Sequence, residues 1–159
     1  MNQGTGSNSG GQESDVWDSA DVEGLDYLDY ASRHLGLTEW LAVSRLFRPR
    51  FVEVEGCVIW ERAYSPENFR TWCAELGGDA TSVEATLNRL RLWQVVNVDD
   101  GDPDDERRLR QLADALASCW RSCLESDFPG RAFDCGVVET EDGPVVRFVV
   151  RRAAGGGTA

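Results

Sequence analysis

Lysine is missing from this chain: all 16 basic side chains belong to arginine, and histidine occurs once, at His34. A preference for arginine codons accounts for the missing lysine, and selection against modification at lysine is the alternative. The glycine pair Gly77-Gly78 consequently lacks the lysine with which a P-loop binds phosphate. With one imidazole beside five cysteines, the chain is also poor in the groups that build Cys/His catalytic sites and zinc sites.

Long apolar runs are missing as well. No stretch approaches the roughly 20 apolar residues that cross a bilayer. Residues 1–12 have neither the basic region nor the apolar region of a secretory signal peptide. The five cysteines are an odd number and are widely spaced, which argues against a disulfide framework. We therefore expect a soluble, cytoplasmic protein with free thiols and no attachment to a membrane.

The acidic side chains are concentrated in two short segments. The formal charge of the chain is -12. Residues 1–23 contain five acidic and no basic side chains, and residues 99–106 contain six acidic and no basic side chains. The rest of the chain is almost neutral, so broad binding of nucleic acid is not expected. The local acidity favours a protein partner with a basic surface instead.

The ends of the chain differ in composition from its middle. Residues 1–22 are rich in glycine, serine and asparagine and then in acidic residues, a composition typical of disorder. We expect a disordered acidic tail over 1–22, a single globular domain over 23–152 and a disordered glycine-rich tail over 153–159. A lone tryptophan in such a tail can dock on a partner, which makes Trp17 a candidate partner-binding residue. The alternative is a loosely tethered aromatic side chain.

Apolar residues at spacings of three and four predict five helices. Ser65 followed by Pro66 indicates the start of one of them, since serine suits the N-cap and proline the first turn. Thr81 and Glu84 fit a capping box at the start of the next. The five predicted helices cover about 25–35, 38–48, 66–76, 80–90 and 104–125.

Alternating apolar residues predict the strands. Residues 50–63 alternate best and predict one strand, in which Gly56 suggests a bulge or a close approach of another backbone. Two later alternating runs, RAFDCGVVE and PVVRFVVRR, flank TEDG, and the Asp-Gly pair there predicts a hairpin. Segment 92–98 fits either the end of a helix or a short strand. The elements predict an α+β fold: a small, mostly antiparallel sheet of three or four strands, about five helices packed against it, and a C-terminal β-hairpin.

The segment VDDGDPDDERRLRQL, residues 98–112, has the highest density of acidic side chains in the chain. It is not an EF-hand loop. With Gly101 at the sixth position of such a loop, Arg107 would stand at the twelfth, where the calcium site needs a glutamate.

The same segment fits the start of the long helix. Asp102 suits the N-cap and Pro103 the first turn, where the following carboxylates meet the positive end of the helix dipole. Capping does not account for Asp99 and Asp100. We therefore take Asp99, Asp100 and Asp102 as candidate contacts for a basic partner.

Two further groups of residues are candidate sites. Arg45, Arg48 and Arg50 form the densest basic cluster outside the long helix and are candidates for binding an anion, although surface arginines in such a cluster are usually solvated charge. Cys119 and Cys123 lie four residues apart on one helix and can bring two thiolates to one ion. Small buried side chains account equally well for the cysteine pair.

These features favour a small protein that binds another protein without catalysis, as an accessory or immunity-like factor does. A binder of small ligands, or an enzyme that uses carboxylates in a cleft beside Gly56, is the first alternative. A thiol-based zinc or redox site at Cys119 and Cys123 is the second. No cofactor and no catalytic residues are indicated, and the sequence favours a non-enzymatic role without deciding the question.

Overall fold

The computed structural model describes residues 26–98 and 101–152. The predicted α+β class is confirmed, with five α-helices and five strands in these residues. Two short 3-10 helices, Glu61–Ala63 and Leu92–Gln94, connect some of them. The helices are α1 (Tyr27–His34), α2 (Leu37–Phe47), α3 (Pro66–Glu75), α4 (Ala80–Leu87) and α5 (Pro103–Asp127), and the strands are β1 (Phe51–Val54), β2 (Cys57–Trp60), β3 (Arg89–Arg91), β4 (Phe133–Thr140) and β5 (Gly143–Val150).

The contacts group the chain into two compact units, Met1–Trp40 and Leu41–Ala159, whose boundary lies within α2. In the first unit, the Asp26 carboxylate caps α1 by accepting hydrogen bonds from the Leu28 and Asp29 N–H groups at 2.9 and 2.8 Å. The second unit contains the end of α2, the helices α3 to α5 and all five described strands. No helix in the described parts of either unit combines the length and the apolar character that crossing a membrane requires.

Strands β1 and β2 form an antiparallel hairpin in which Val54 pairs with Cys57. The prediction of a single strand that runs through Gly56 is wrong, because Glu55 and Gly56 form a two-residue turn. Both have positive φ, 48° and 77°, as a type I′ turn requires. Glutamate rarely adopts this conformation, so the turn is not evident from the sequence.

Strands β3, β5 and β4 form a second antiparallel sheet, in that order, with β5 in the centre. The C-terminal hairpin of β4 and β5 is confirmed, and Thr140 pairs with Gly143 across its turn. The strands thus occupy two small sheets and not one. Segment 92–98, left undecided above, begins with a 3-10 helix, and the strand precedes it at Arg89–Arg91.

Strand β2 is buried on both faces and separates two apolar clusters. Val58 and Trp60 face a cluster built on α5, whose Trp120 ring lies 5.1 Å from that of Trp60. Cys57 and Ile59 face a second cluster formed mainly with α3 and α4. Burial on both faces explains why the four residues of β2 are all apolar.

Two polar side chains are fully buried between the sheets, those of Glu84 in α4 and of Asn88, the C-cap residue that follows α4. Asn88 Oδ1 accepts a hydrogen bond from the Trp60 N–H at 2.9 Å. Its Nδ2 donates to the carbonyl oxygens of Val58 at 2.8 Å and Phe148 at 3.3 Å. The pairing of β3 with β5 ends at Arg147. Asn88 continues from there and links the edge of β2 to the next residue of β5, Phe148.

Glu84 makes the same link with its carboxylate. Oε1 accepts from the Val58 N–H and from Arg152 Nη2, both at 2.9 Å. Oε2 accepts from the Val150 N–H at 2.8 Å and from Arg152 Nη1 at 2.7 Å. The capping box expected of Glu84 is therefore wrong: the carboxylate points into the protein, and Asp79 caps α4 instead.

Candidate functional site

A concave surface of about 950 Å³ lies where the start of α5 meets the turn between β4 and β5. We call it the acidic depression. The 3-10 helix Leu92–Gln94 and the segment after it form its third side. Its lining residues are Trp93, Val96, Asn97, Val98, Gly101, Glu106, Leu109, Arg110, Glu139, Thr140, Glu141, Asp142, Gly143 and Pro144.

The β4–β5 turn forms one side of the acidic depression and lies beside Trp93 and Leu109. Gly143 has a φ of 112°, which L-residues rarely adopt. A Cβ atom there would lie 3.8 Å from Trp93 Cε3 and 3.9 Å from Leu109 Cδ2. The Thr140 hydroxyl donates to the Gly143 carbonyl at 2.8 Å across the turn. Trp93 and Leu109 are thus the apolar lining residues beside the turn, and we call these two the apolar floor of the depression.

The charged groups around the acidic depression are mostly negative. Glu106, Glu139, Glu141 and Asp142 supply four carboxylates, and Arg110 supplies the one basic side chain of the lining. Arg110 Nη2 is 3.0 Å from Glu139 Oε2, which neutralises one carboxylate; among the described residues, no basic group lies within 4.0 Å of the other three. The surface thus combines an acidic rim with an apolar floor.

The predicted partner-binding aspartates have different positions. Asp102 is the N-cap of α5 and accepts a hydrogen bond from the Asp104 N–H at 2.9 Å, as its place before Pro103 predicted. Asp99, Asp100 and Trp17 lie outside the described residues. The carboxylates that do converge, among them Glu141 in the β4–β5 turn, were not singled out from the sequence, since they come together only through the fold.

The predicted anion-binding arginines are divided by the fold. Arg45 and Arg50 line a second concave surface, of about 690 Å³, which we call the arginine depression. Arg48 does not line it, and its guanidinium lies 3.8 Å from the Asp127 carboxylate. The lining of the arginine depression is Ala42, Arg45, Leu46, Pro49, Arg50, Trp60, Glu61 and Arg62.

The two cysteines of the long helix do not form a metal site with other residues of the described ranges, where no group of three or more potential ligands is suitably arranged. Cys123 is buried, and burial raises the pKa of its thiol while the nearby Arg48 charge opposes that shift. Its Sγ lies 3.7 Å from Arg48 Nη1. Cys119 is half-buried. A buried neutral thiol is a poor metal ligand and a poor nucleophile.

Two carboxylates lie beside Gly56: that of Glu55, its exposed neighbour in the turn, and that of Glu84, which is fully buried. The Gly56 carbonyl accepts a hydrogen bond from Arg152 Nη2 at 3.1 Å, so the arginine that pairs with Glu84 also binds this turn. The buried carboxylate beside this turn therefore serves the link between the two sheets.

Apolar side chains are also exposed in the first unit. Tyr27 and Leu28 of α1 are 66% and 62% exposed, and Leu37 and Trp40 at the start of α2 are 77% and 44% exposed. No residue of α1 or α2 is fully buried. The first fully buried residue among those described is Pro49, which follows α2. Single exposed apolar side chains are normal on protein surfaces, so these four exposures by themselves assign no site.

Comparison of the chain with protein-family models, with curated proteins and with solved structures finds no match. Any functional assignment therefore rests on the geometry and the charge of the chain itself.

Proposed function

We propose that the protein acts by binding another protein, and that a basic, partly apolar segment of this partner occupies the acidic depression. The observation that carries the proposal is the convergence of four carboxylates around a floor that includes Trp93 and Leu109. Arginine or lysine side chains of the partner would pair with the carboxylates at the rim. Apolar side chains of the same segment would contact the floor, as in interfaces with a polar rim and an apolar centre.

The net charge of the chain supports the same kind of partner. A formal charge of -12 accelerates the approach of a basic protein and disfavours that of an acidic one. A role as an accessory or immunity-like factor, which covers a basic functional surface of its partner, agrees with this electrostatic preference.

Removal of the free carboxylates tests the proposal. The full chain and the triple variant Glu106→Gln, Glu141→Gln, Asp142→Asn are used as bait in a native lysate, and retained proteins are quantified by mass spectrometry. Glu139 stays in place because it pairs with Arg110. We expect a basic partner that the unmodified chain retains and the variant loses. Retention should fall between about 50 and about 300 mM salt, because salt screens exposed charges.

The matched control changes the net charge equally at other exposed carboxylates, with Glu67→Gln, Glu75→Gln and Asp114→Asn. Glu67 is in the first turn of α3, as Glu106 is in the first turn of α5, so both triples remove one favourable contact with a helix dipole. The control should retain the partner. Retention of the same proteins by the acidic-depression variant would contradict the proposal.

A further inference from the structure

The arginine depression is lined by three basic and one acidic side chain and shares no residue with the acidic depression. Three arginines line it from separate segments: Arg45 in α2, Arg50 before β1, and Arg62 in the 3-10 helix after β2. Arg62 is the member that the sequence did not indicate, because it is 12 residues from Arg50 and reaches the same place through the β1–β2 hairpin.

The backbone beneath these arginines is held by hydrogen bonds to the core. The buried Trp120 donates from Nε1 to the Leu46 carbonyl at 2.7 Å, next to Arg45. The Arg50 carbonyl accepts from the Glu61 N–H at 2.9 Å, which ties the segments that carry Arg50 and Arg62. The backbone segments that carry the three arginines are therefore held in place by the fold, although the arginine side chains themselves are exposed.

Their hydrogen-bond donors are largely unused. Within the described residues, no carboxylate lies within 4.0 Å of Arg45 or Arg62, and Arg50 has one at 3.9 Å, that of Glu61. Both members of that pair are more than half exposed, so the contact is weak. The Arg62 guanidinium carbon lies 5.6 Å from the Trp60 ring centre, a cation–π contact that leaves its N–H groups available.

We propose that the arginine depression binds a small molecule that carries a phosphate group. Guanidinium groups bind phosphate oxygens through paired N–H donors, and three of them outnumber the single carboxylate of the lining. Its volume of about 690 Å³ falls within the roughly 300 to 1,000 Å³ usual for small-molecule sites. Leu46 and Pro49 offer apolar contacts to the rest of the ligand. A long nucleic acid is disfavoured because the chain as a whole carries a charge of -12.

Calorimetric titration of the full chain at low ionic strength tests this site, with inorganic pyrophosphate and ADP as probes. We expect saturable binding of one equivalent. Arg50→Gln and Arg62→Gln should each weaken it by about tenfold, since each removes hydrogen bonds to a charged group. Arg70→Gln is the control with the same change of charge, because Arg70 is exposed on α3 and outside the depression. It should change the affinity by less than about twofold.

Tighter binding of ADP than of pyrophosphate would show that apolar contacts with Leu46 and Pro49 contribute to the affinity. Equal binding would assign the recognition to the phosphates alone, and both results support the proposal. Failure of both probes to bind would overturn it. Equal weakening by Arg70→Gln would overturn it too, since the affinity would then reflect net charge. A phosphoserine peptide that bound more tightly than either probe would replace the small molecule by a protein ligand. Thermal unfolding of each variant checks that the fold is intact.

Discussion

Glu84 is a carboxylate in the protein interior, where an uncompensated charge would be strongly destabilising. Its two oxygens accept four hydrogen bonds, two from backbone N–H groups and two from the Arg152 guanidinium. The paired geometry with arginine is the strong form of ion pair. The Arg152 side chain is 31% exposed, so only one member of the pair is fully removed from water. The pair therefore has a lower desolvation cost than two buried charges would have.

We predict that Glu84→Gln destabilises the protein by roughly 3 kcal/mol, the low end of the range for breaking a buried ion pair. The amide group cannot accept at both positions, so at least one buried N–H, that of Val58 or Val150, loses its acceptor. Urea unfolding measures the change in the free energy of unfolding. Glu75→Gln, an exposed site on α3, is the control and should change it by less than about 0.5 kcal/mol. A change at Glu84 no larger than the control would contradict this account of the carboxylate.

Burial also predicts how the cysteines react. It raises the pKa of the Cys57 and Cys135 thiols to about 11, with the Glu84 charge adding to the shift at Cys57, and it raises the pKa of Cys123. We predict that iodoacetamide near neutral pH modifies only Cys73 and Cys119 in the native protein, because these two are half-buried and the thiolate is the reactive form. Mass spectrometry of digests locates the modified sites. Rapid modification of Cys123 in the folded protein would contradict this prediction and would support a thiol-based function for the long helix.

At the scale of the elements, α4 depends on an exposed cap. The Ser82 hydroxyl and the Thr81 and Ser82 N–H groups hydrogen-bond the Asp79 carboxylate and hold its pKa below the usual value. A carboxyl whose pKa is lower in the folded state stabilises the fold above its unfolded pKa, about 3.9. This stabilisation decreases as the pH falls through the folded pKa. We predict that Asp79→Ala destabilises the protein at neutral pH and that its difference from the unmodified chain shrinks below about pH 4.

Asp79→Asn separates the charge from the cap. Asparagine is as good an N-cap as aspartate but does not titrate. The difference in unfolding free energy between the Asn and Ala variants should therefore stay constant with pH. If the difference in unfolding free energy between the unmodified chain and the Ala variant did not change with pH, the ionised form of Asp79 would not stabilise the fold more than the protonated form.

The helix ends were predictable because capping is local. Ser65 before Pro66, and Asp102 before Pro103, cap α3 and α5 as their sequence suggests. The hairpin of β1 and β2 was not predictable, since a two-residue turn leaves the alternation of apolar residues almost unbroken. The usual signal for such a turn is Asn or Asp before Gly, and here Glu55 stands in its place.

The polar link between the sheets and the two depressions were also beyond local reasoning. Glu84 looks like an exposed helix residue until Arg152, 68 positions later, is placed beside it. In the same way, Arg62 belongs with Arg45 only once β2 has returned the chain to the end of α2. Spacing along a helix or strand carries no information about partners so distant in sequence, whereas the α+β class follows from the periodicity alone.

At the scale of the second unit, the side chains of Glu84 in α4 and of its C-cap residue Asn88 make the two sheets dependent on each other. Val58 and Trp60 donate their N–H groups to Glu84 and Asn88, and Val150 donates to Glu84 as well. We predict that the amide hydrogens of these three residues exchange with solvent only when the whole unit unfolds, with the same opening free energy. Hydrogen exchange followed by NMR measures these values. A lower opening free energy for Val58 and Trp60 than for Val150 would mean that the β1–β2 hairpin detaches by itself.

The position of Glu84 between distant parts of the chain also bears on the order of folding. Its partners Val58 and Val150 are 26 and 66 residues away along the chain, whereas each hairpin pairs segments that are close in sequence. Closing the longer loops requires more chain entropy to be lost, so the hairpins are expected to form first. Stopped-flow kinetics of Glu84→Gln should then show faster unfolding and nearly unchanged folding, and the opposite pattern would place Glu84 in the folding nucleus. The contacts of this carboxylate would form after the rate-limiting step, and they would determine how long the native protein persists before it opens.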